Sequence, residues 1–287
     1  MTRFLVTGAT GQLGKQILEM KPRGSEVTVA GRKNSIRSRN FYQMDLGAPF
    51  TAYSSVINSR PDVVIHAGAL TDVDLCEKER EYANLVNAKS TGEIAKACSE
   101  IGCRMVHVST DYVFDGSKGK YTETDNVRPI QVYGQTKLEG EELSRSHMHG
   151  EKLLTIRTGV VFSMEEGFVG WLNESMESNK EIGVVSDQWV SPTNSRYLAD
   201  TIFKLISLDA SGVWNVASCD RTSRFEMAEE IRKRRGAERR LLVPKSMNEM
   251  SWLAPRPEDS SLDCSKLKSV GIEMSFNQML DALVYGE

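Results

Sequence analysis

A tyrosine and a lysine stand four residues apart in "YGQTK", Tyr133 and Lys137. In a helix, which the continuation "LEGEELSR" favours, that spacing puts both side chains on one face. A phenol with a pKa of about 10 exchanges protons poorly at neutral pH unless a nearby cation stabilises the phenolate, and Lys137 is spaced to do so. Upstream, the strand-like run Met105 to Val108 stops in Ser109, Thr110, Asp111 and Tyr112. A hydroxyl there, from Ser109 or Thr110, would hydrogen-bond a carbonyl oxygen that Tyr133 protonates and would stabilise the negative charge arising on it. Alone, Tyr-x-x-x-Lys more often describes a bland surface pair, so its meaning depends on what surrounds it.

The surroundings include "FLVTGATGQLG", residues 4 to 14, with Gly8, Gly11 and Gly14 three apart between a first strand and a first helix. Glycines there permit a tight turn, let the backbone approach a pyrophosphate and bring helix against strand, while the helix N-terminus offers partial positive charge. The expected dinucleotide contacts on this turn are Gly8, Thr10, Gly11, Gln12, Leu13 and Gly14. A site that reads a free ribose 2'-hydroxyl usually carries an acid at the end of the second strand. Here the run is "VAGRKN", and Arg32 and Lys33 favour a 2'-phosphate, hence NADP over NAD, unless they are simply solvated loop cations. Asp45 and Leu46 in "QMDLG" would flank the adenine, with a helix cap at Asp45 as the alternative.

These groups need elements to hold them. Short apolar runs alternate with amphipathic ones up to about residue 160, the pattern of a parallel α/β sheet. The strands expected are Arg3 to Val6, Glu26 to Ala30, Val63 to His66, Met105 to Val108 and Leu153 to Arg157, with helices at Gln12 to Met20 and Glu81 to Ile101. Right-handed crossovers give an α/β fold with a doubly wound parallel sheet of Rossmann type, its strands' carboxyl ends on one rim where ligands bind. Residues 109 to 116 fall on that rim. After Phe162 come short strands (Glu181 to Val185, Val213 to Val216), a helix from Arg196 to Leu208 and proline-bearing loops. The expectation is a dinucleotide-binding domain over 1–160 and a smaller C-terminal α/β substrate lobe over 161–287, parts of which pack back on the first.

The 287 residues are 40% hydrophobic and 26% charged, with a net charge of -3 that argues against general nucleic-acid or anionic-membrane binding. The basic run "IRKRRGAERR" (231 to 240) is read as the solvated face and end of a helix beginning near Arg224. No apolar stretch approaches the ~20 residues that cross a bilayer, and Met1 leads into "FLVTG" without room for a signal peptide, so a cytoplasmic protein is expected. Five scattered cysteines form no Cys-x-x-Cys pair and are read as reduced thiols; no metal ligand is assigned.

With these residues in hand, the chain resembles the extended short-chain dehydrogenases/reductases, and among them the dTDP-4-dehydrorhamnose reductases. The resemblance runs along nearly the whole chain in "TGATGQLG", "HAGALTDVDLCE", "STDYVFDG", "VYGQTKLEGE", "DQWVSPT" and "RPEDSSLDCSKL". It implies reduction of a 4-keto-6-deoxy sugar carried on a nucleoside diphosphate, with Thr110 holding the ketone, Tyr133 as general acid and Lys137 as its electrostatic partner. Ala67, Gly68 and Ala69 would line the dinucleotide, and Tyr133 and Lys137 would also touch it. Thr71, Val73 and Asp74 would face the sugar, with helix capping around Thr71 and Asp72 as the alternative. Ser109, Asp111 and Tyr112 complete the substrate rim, Asn87 braces the site, and Arg256 would pair with the diphosphate unless it is an ordinary surface arginine. Some members of that group dimerise through magnesium and acidic residues. A homodimer with magnesium at its interface is therefore compatible with the resemblance, although no residue is placed in such a site.

Two departures matter. In "RTGVVFS" Val160 stands where the group typically has tryptophan and Ser163 where it has glycine, and Val190 replaces a glycine in the "DQ…PT" segment. The tryptophan shapes the sugar pocket, so the substrate is questioned more than the fold. The regulatory β subunit of methionine adenosyltransferase shares these departures and keeps the tyrosine and lysine. It sets up the competing reading of an NADP-binding regulatory subunit with a catalytic partner protein. A third reading is a related epimerase or dehydratase that uses its cofactor transiently.

Overall fold

The computed structural model describes residues 1–284. Seven parallel strands make the central sheet: β1 (Arg3–Thr7), β2 (Glu26–Gly31), β3 (Phe41–Gln43), β4 (Val63–His66), β5 (Arg104–Thr110), β6 (Leu153–Thr158) and a late strand, Gly212–Asn215. Their order across the sheet is late strand, β6, β5, β4, β1, β2, β3, so the winding reverses between β1 and β4. Ligands of such sheets bind at the carboxyl ends beside that reversal.

The central strands are buried along most of their length because both faces are covered. Phe4 and Val6 of β1 face one core with Ile65, Val106 and Ile156, whereas Leu5 faces a second with Val64, Met105 and Ile94. Along the chain the helices are α1 (Gln12–Met20), α2 (Pro49–Ser59), α3 (Val73–Lys78), α4 (Arg80–Asn84), α5 (Ser90–Ile101), α6 (Val132–His147), α7 (Gly167–Glu177), α8 (Ser195–Ser207), α9 (Arg224–Arg235), α10 (Ser265–Lys268) and α11 (Phe276–Val284). Helix α1 packs with α8 over the first core, and α2 packs on α5 and α5 on α6 over the second. Truncating a fully buried member such as Leu5 to alanine should cost about 2–5 kcal/mol.

The expected helix over 81–101 is interrupted. Leu85–Lys89 form a π turn between α4 and α5, an irregularity that tends to mark functional positions. After β6 the chain builds three two-stranded patches. They pair β7 (Val161–Phe162) with β10 (Thr193–Asn194), β8 (Ile182–Val185) with β13 (Leu242–Lys245), and β9 (Trp189–Val190) with β12 (Thr222–Ser223). Between them the late strand, β11, returns to the central sheet beside β6. The basic run lies on α9 and the turn after it. There Arg232, Lys233 and Arg234 are paired with Glu229, Glu230 and Asp281, which disperses the charge. No helix among the described residues is long and apolar enough to cross a membrane.

Candidate active site

The turn between β1 and α1 is built for close approach. Gly8 has φ +69°, and a Cβ on it would sit 2.7 Å from the Ala67 and Gly68 backbone; a Cβ on Gly14 would run into the Gly8 carbonyl. Gly11 is the N-cap of α1 and offers no side chain to the helix's first N–H groups, which leaves those donors for an anion. The opposite wall is pinned from below. The Gly68 N–H donates to Thr7 Oγ1 at 3.0 Å, and with the His66 proton on Nε2 the Thr7 hydroxyl donates to Nδ1, 2.7 Å away. His66 Nε2 then donates to Thr91 Oγ1 at 3.0 Å, and Thr91 donates to the Asn87 carbonyl at 2.8 Å. Every donor in this buried chain has one acceptor.

From this turn a cleft of ≈ 990 Å³ runs along the rim to Tyr133 and Lys137. Gly8, Thr10, Gly11, Gln12, Leu13 and Gly14 line it, as do Arg32, Lys33, Asp45, Leu46, Ala67, Gly68 and Ala69. Arg32 and Lys33 are exposed, and their side chains have no ion-pair or hydrogen-bond partner among the described residues. Asp45 Oδ1 accepts from the Gly47 N–H at 2.9 Å, a local turn that leaves the N-cap of α2 to Ala48. A glycine cradle, uncapped helix donors and two unpaired cations fit a phosphorylated dinucleotide.

At the other end, β5 delivers Thr110. Its hydroxyl accepts from the Tyr112 N–H at 3.2 Å, capping the short turn Asp111–Val113, and donates to Asp111 Oδ1 at 3.0 Å. The Ser109 hydroxyl points away, donating to Glu141 Oε1 at 2.6 Å inside a buried pair that Arg157 completes at 2.8 Å. Of the two hydroxyls offered for a carbonyl, the Thr110 one is therefore on the tyrosine side. Tyr133 and Lys137 share a face of α6, as their spacing requires, and Tyr112 meets the Tyr133 ring edge-on at 6.0 Å.

Helix α6 starts on Gln131, which supplies no cap; Glu77 of α3 accepts from the Val132 N–H at 2.8 Å instead. Asn87, on the π turn, holds both backbone groups of Leu70, accepting from its N–H at 2.8 Å and donating to its carbonyl at 3.0 Å. It also donates to Thr136 Oγ1 at 3.2 Å, one turn along from Tyr133.

Burial pushes the Tyr133 phenol above its ordinary value, against the adjacent Thr110 hydroxyl and reinforced by the Asp111 charge. Such a tyrosine keeps its proton until a stronger base arrives. Burial pushes Lys137 down to about 8, opposed by Glu141 one turn further on. Lys137 Nζ donates to the Val108 carbonyl at 2.7 Å, and no hydrogen bond joins it to Tyr133 among the described residues. Pairings of this kind often tighten only once ligands bind.

Thr71, Val73, Asp111 and Tyr112 also line the cleft. Asp72, not Thr71, caps α3, accepting from the Leu75 N–H at 2.9 Å. Asp74 and Arg256 are absent from the lining and are paired with each other at 2.9 Å, so the guanidinium expected at a diphosphate is already held by a carboxylate. Arg224, at the start of α9, enters the cleft instead, with its guanidinium 5.2 Å from the Phe168 ring. Sequence reasoning passed over Arg224, reading it as the start of a surface helix. Its one signal was its place inside a Ser-x-x-Glu capping box, directly after Ser223. Val160 lines the cleft at the place where the resemblance leads one to expect tryptophan. No group of three or more His, Cys, Asp or Glu residues able to hold a metal occurs among the described residues, so nothing supports magnesium.

A model of the family described as "RmlD substrate binding domain" matches residues 2–284. The spore coat polysaccharide biosynthesis protein SpsK of Bacillus subtilis is 34% identical over 95% of this chain and 93% of its own. Subunit beta of methionine adenosyltransferase 2 from Mus musculus is 30% identical over 94% of this chain and 83% of its own. A solved dTDP-4-dehydrorhamnose reductase from Bacillus anthracis, in complex with NADP, superposes with a TM-score of 0.88 at 30% identity over 100% of this chain and 99% of that one.

Proposed function

The chain belongs to the RmlD substrate binding domain family, and from that premise we propose that it is an NADPH-dependent sugar-nucleotide reductase. Its reaction is reduction of the 4-keto group of a nucleoside-diphosphate 4-keto-6-deoxy sugar, dTDP-4-dehydrorhamnose to dTDP-L-rhamnose. The observation that carries this reading is one cleft holding a dinucleotide turn at one end and Thr110, Tyr133 and Lys137 at the other.

When bound, the dinucleotide supplies the hydride. The N–H groups at the start of α1 hold its pyrophosphate, and Arg32 and Lys33 hold the 2'-phosphate. Thr110 donates a hydrogen bond to the C4 carbonyl oxygen, which fixes the carbonyl carbon and stabilises charge as it builds on oxygen. Tyr133 gives that oxygen its proton. A phenol held above its ordinary value is fully protonated at neutral pH, the state a donor needs. Lys137 stabilises the phenolate left behind, and Thr71, Val73, Tyr112 and Val160 shape the sugar's place.

The test is NADPH consumption with dTDP-4-dehydrorhamnose by the wild type and by Tyr133→Phe. Turnover should fall on the order of 100-fold or more in the variant while NADPH binding is kept; near-normal turnover would remove Tyr133 from the reaction. A second reading, a dinucleotide-binding regulatory subunit, is favoured by Val160 together with the likeness to the methionine adenosyltransferase subunit. It requires tight NADPH binding with no turnover and co-purification with a catalytic partner.

A further inference from the structure

Asp111 is 3% exposed, yet it holds two hydrogen bonds that the reaction as described does not use. Ser260, 149 residues away, donates to Oδ2 at 2.6 Å, and Thr110 donates to Oδ1 at 3.0 Å. A hydroxyl has one proton and two lone pairs. In this arrangement the Thr110 proton is spent on Asp111 and one lone pair on the Tyr112 N–H, so the only capacity left for the cleft is a lone pair. A ketone oxygen cannot use it, because it too only accepts.

If Asp111 carries a proton on Oδ1, the polarity reverses. The carboxyl donates to Thr110 Oγ1, the Tyr112 N–H fills the other lone pair, and the threonine proton is free to turn toward the cleft. The product alcohol, which has a proton to give, suits the ionised arrangement. We propose that Asp111 is a positioning residue that sets which way the Thr110 hydroxyl donates, its protonated form admitting the ketone and its ionised form the alcohol. This rests on the reductase reading.

Both forms lie within reach of neutral pH. Burial pushes Asp111 up to about 6, against the hydrogen bonds from Ser260 and Thr110 and the charge of Arg224. The other titratable groups facing it are Tyr112 on its own turn and Tyr133 from α6.

The experiment is the pH profile of kcat/KM for sugar reduction by NADPH and for oxidation of the sugar alcohol by NADP, using wild type, Asp111→Asn and Ser260→Ala, with NADPH binding as the check on folding. Wild-type reduction should lose about tenfold per pH unit above the Asp111 ionisation, and oxidation should rise with pH up to that ionisation and level off above it. Asp111→Asn, whose amide donates to Thr110 at every pH, should lose this limb whatever its absolute rate. Ser260→Ala removes a donor to the ionised form, so the limb should move to higher pH. A limb unchanged in Asp111→Asn overturns the proposal. Should that variant fail to bind NADPH, an unshifted limb in Ser260→Ala overturns it equally. A wild type without turnover fails the reductase reading itself, a different outcome from an active enzyme whose limb does not move.

Discussion

On the proposed reading Arg32 and Lys33 carry the cofactor preference, because they are unpaired cations where the second strand ends on the cleft. An exposed guanidinium with no protein partner gives up nothing to meet a phosphate, and its planar fork matches phosphate oxygens. Arg32→Ala should therefore raise the Kd for NADPH about tenfold or more, equivalent to about 1.4 kcal/mol, and leave NADH binding nearly unchanged. Fluorescence titration with both nucleotides reads this directly, and equal losses for the two would remove the 2'-phosphate contact. The same reasoning separates Arg256 from Arg224. Arg256 is held by Asp74, whereas Arg224 lies on the cleft with an aromatic ring beneath it. Their one-letter contexts could not distinguish them, since pairing depends on what the fold brings near.

The placement of Tyr133 also depends on a helix end set by a neighbour. Helix α6 has no side-chain cap of its own, and Glu77 of α3 satisfies the N–H next to Tyr133. Glu77→Ala should cost about 1–2 kcal/mol and let the first turn of α6 fray. The expected result is a lower melting temperature and a larger fall in kcat than in NADPH affinity, measured by calorimetry and steady-state kinetics; a loss of NADPH affinity alone would contradict it. Strands β1, β4, β5 and β6 were legible because burial on both faces leaves short apolar runs, Phe4–Val6 and Val63–Ile65 among them. Strand β3, three half-exposed residues (Phe41–Gln43), has no such run. The π turn was hidden because it barely disturbs helical periodicity, although it aims Asn87 at Leu70 and Thr136. The Tyr133–Lys137 pair and the glycine turn were legible as local spacings. The Asp111–Ser260 and Ser109–Glu141 bonds were not, because topology alone sets them.

In the molecule as a whole, the sheet rim carries the glycine turn and the proposed proton-transfer groups, and the chain after β6 closes the cleft with Val160 and Arg224. The core beneath is sensitive to acid. Burial pushes His66 down to about 3, with the charge of Lys137 adding to the shift, and lowers His107 in the same way. Both are held neutral when folded and protonate near 6.5 when unfolded. Their stabilising contribution is thus complete above about pH 6.5 and is lost as pH falls toward about 3. Asp111 works in the opposite direction over part of that range, but it is one group against two. Melting temperature should fall steadily below about pH 6. His107→Leu should flatten the fall at little cost near neutrality, since neither ring nitrogen of His107 has a partner; an unchanged slope would contradict this. Hydride transfer to the sugar is read directly with NADPH deuterated at the transferred position together with dTDP-4-dehydrorhamnose. A reductase leaves one deuterium at C4 of the dTDP-L-rhamnose formed, read by mass spectrometry and NMR. Tight NADPH binding with no deuterium in the sugar would contradict it and leave a dinucleotide-binding subunit in its place.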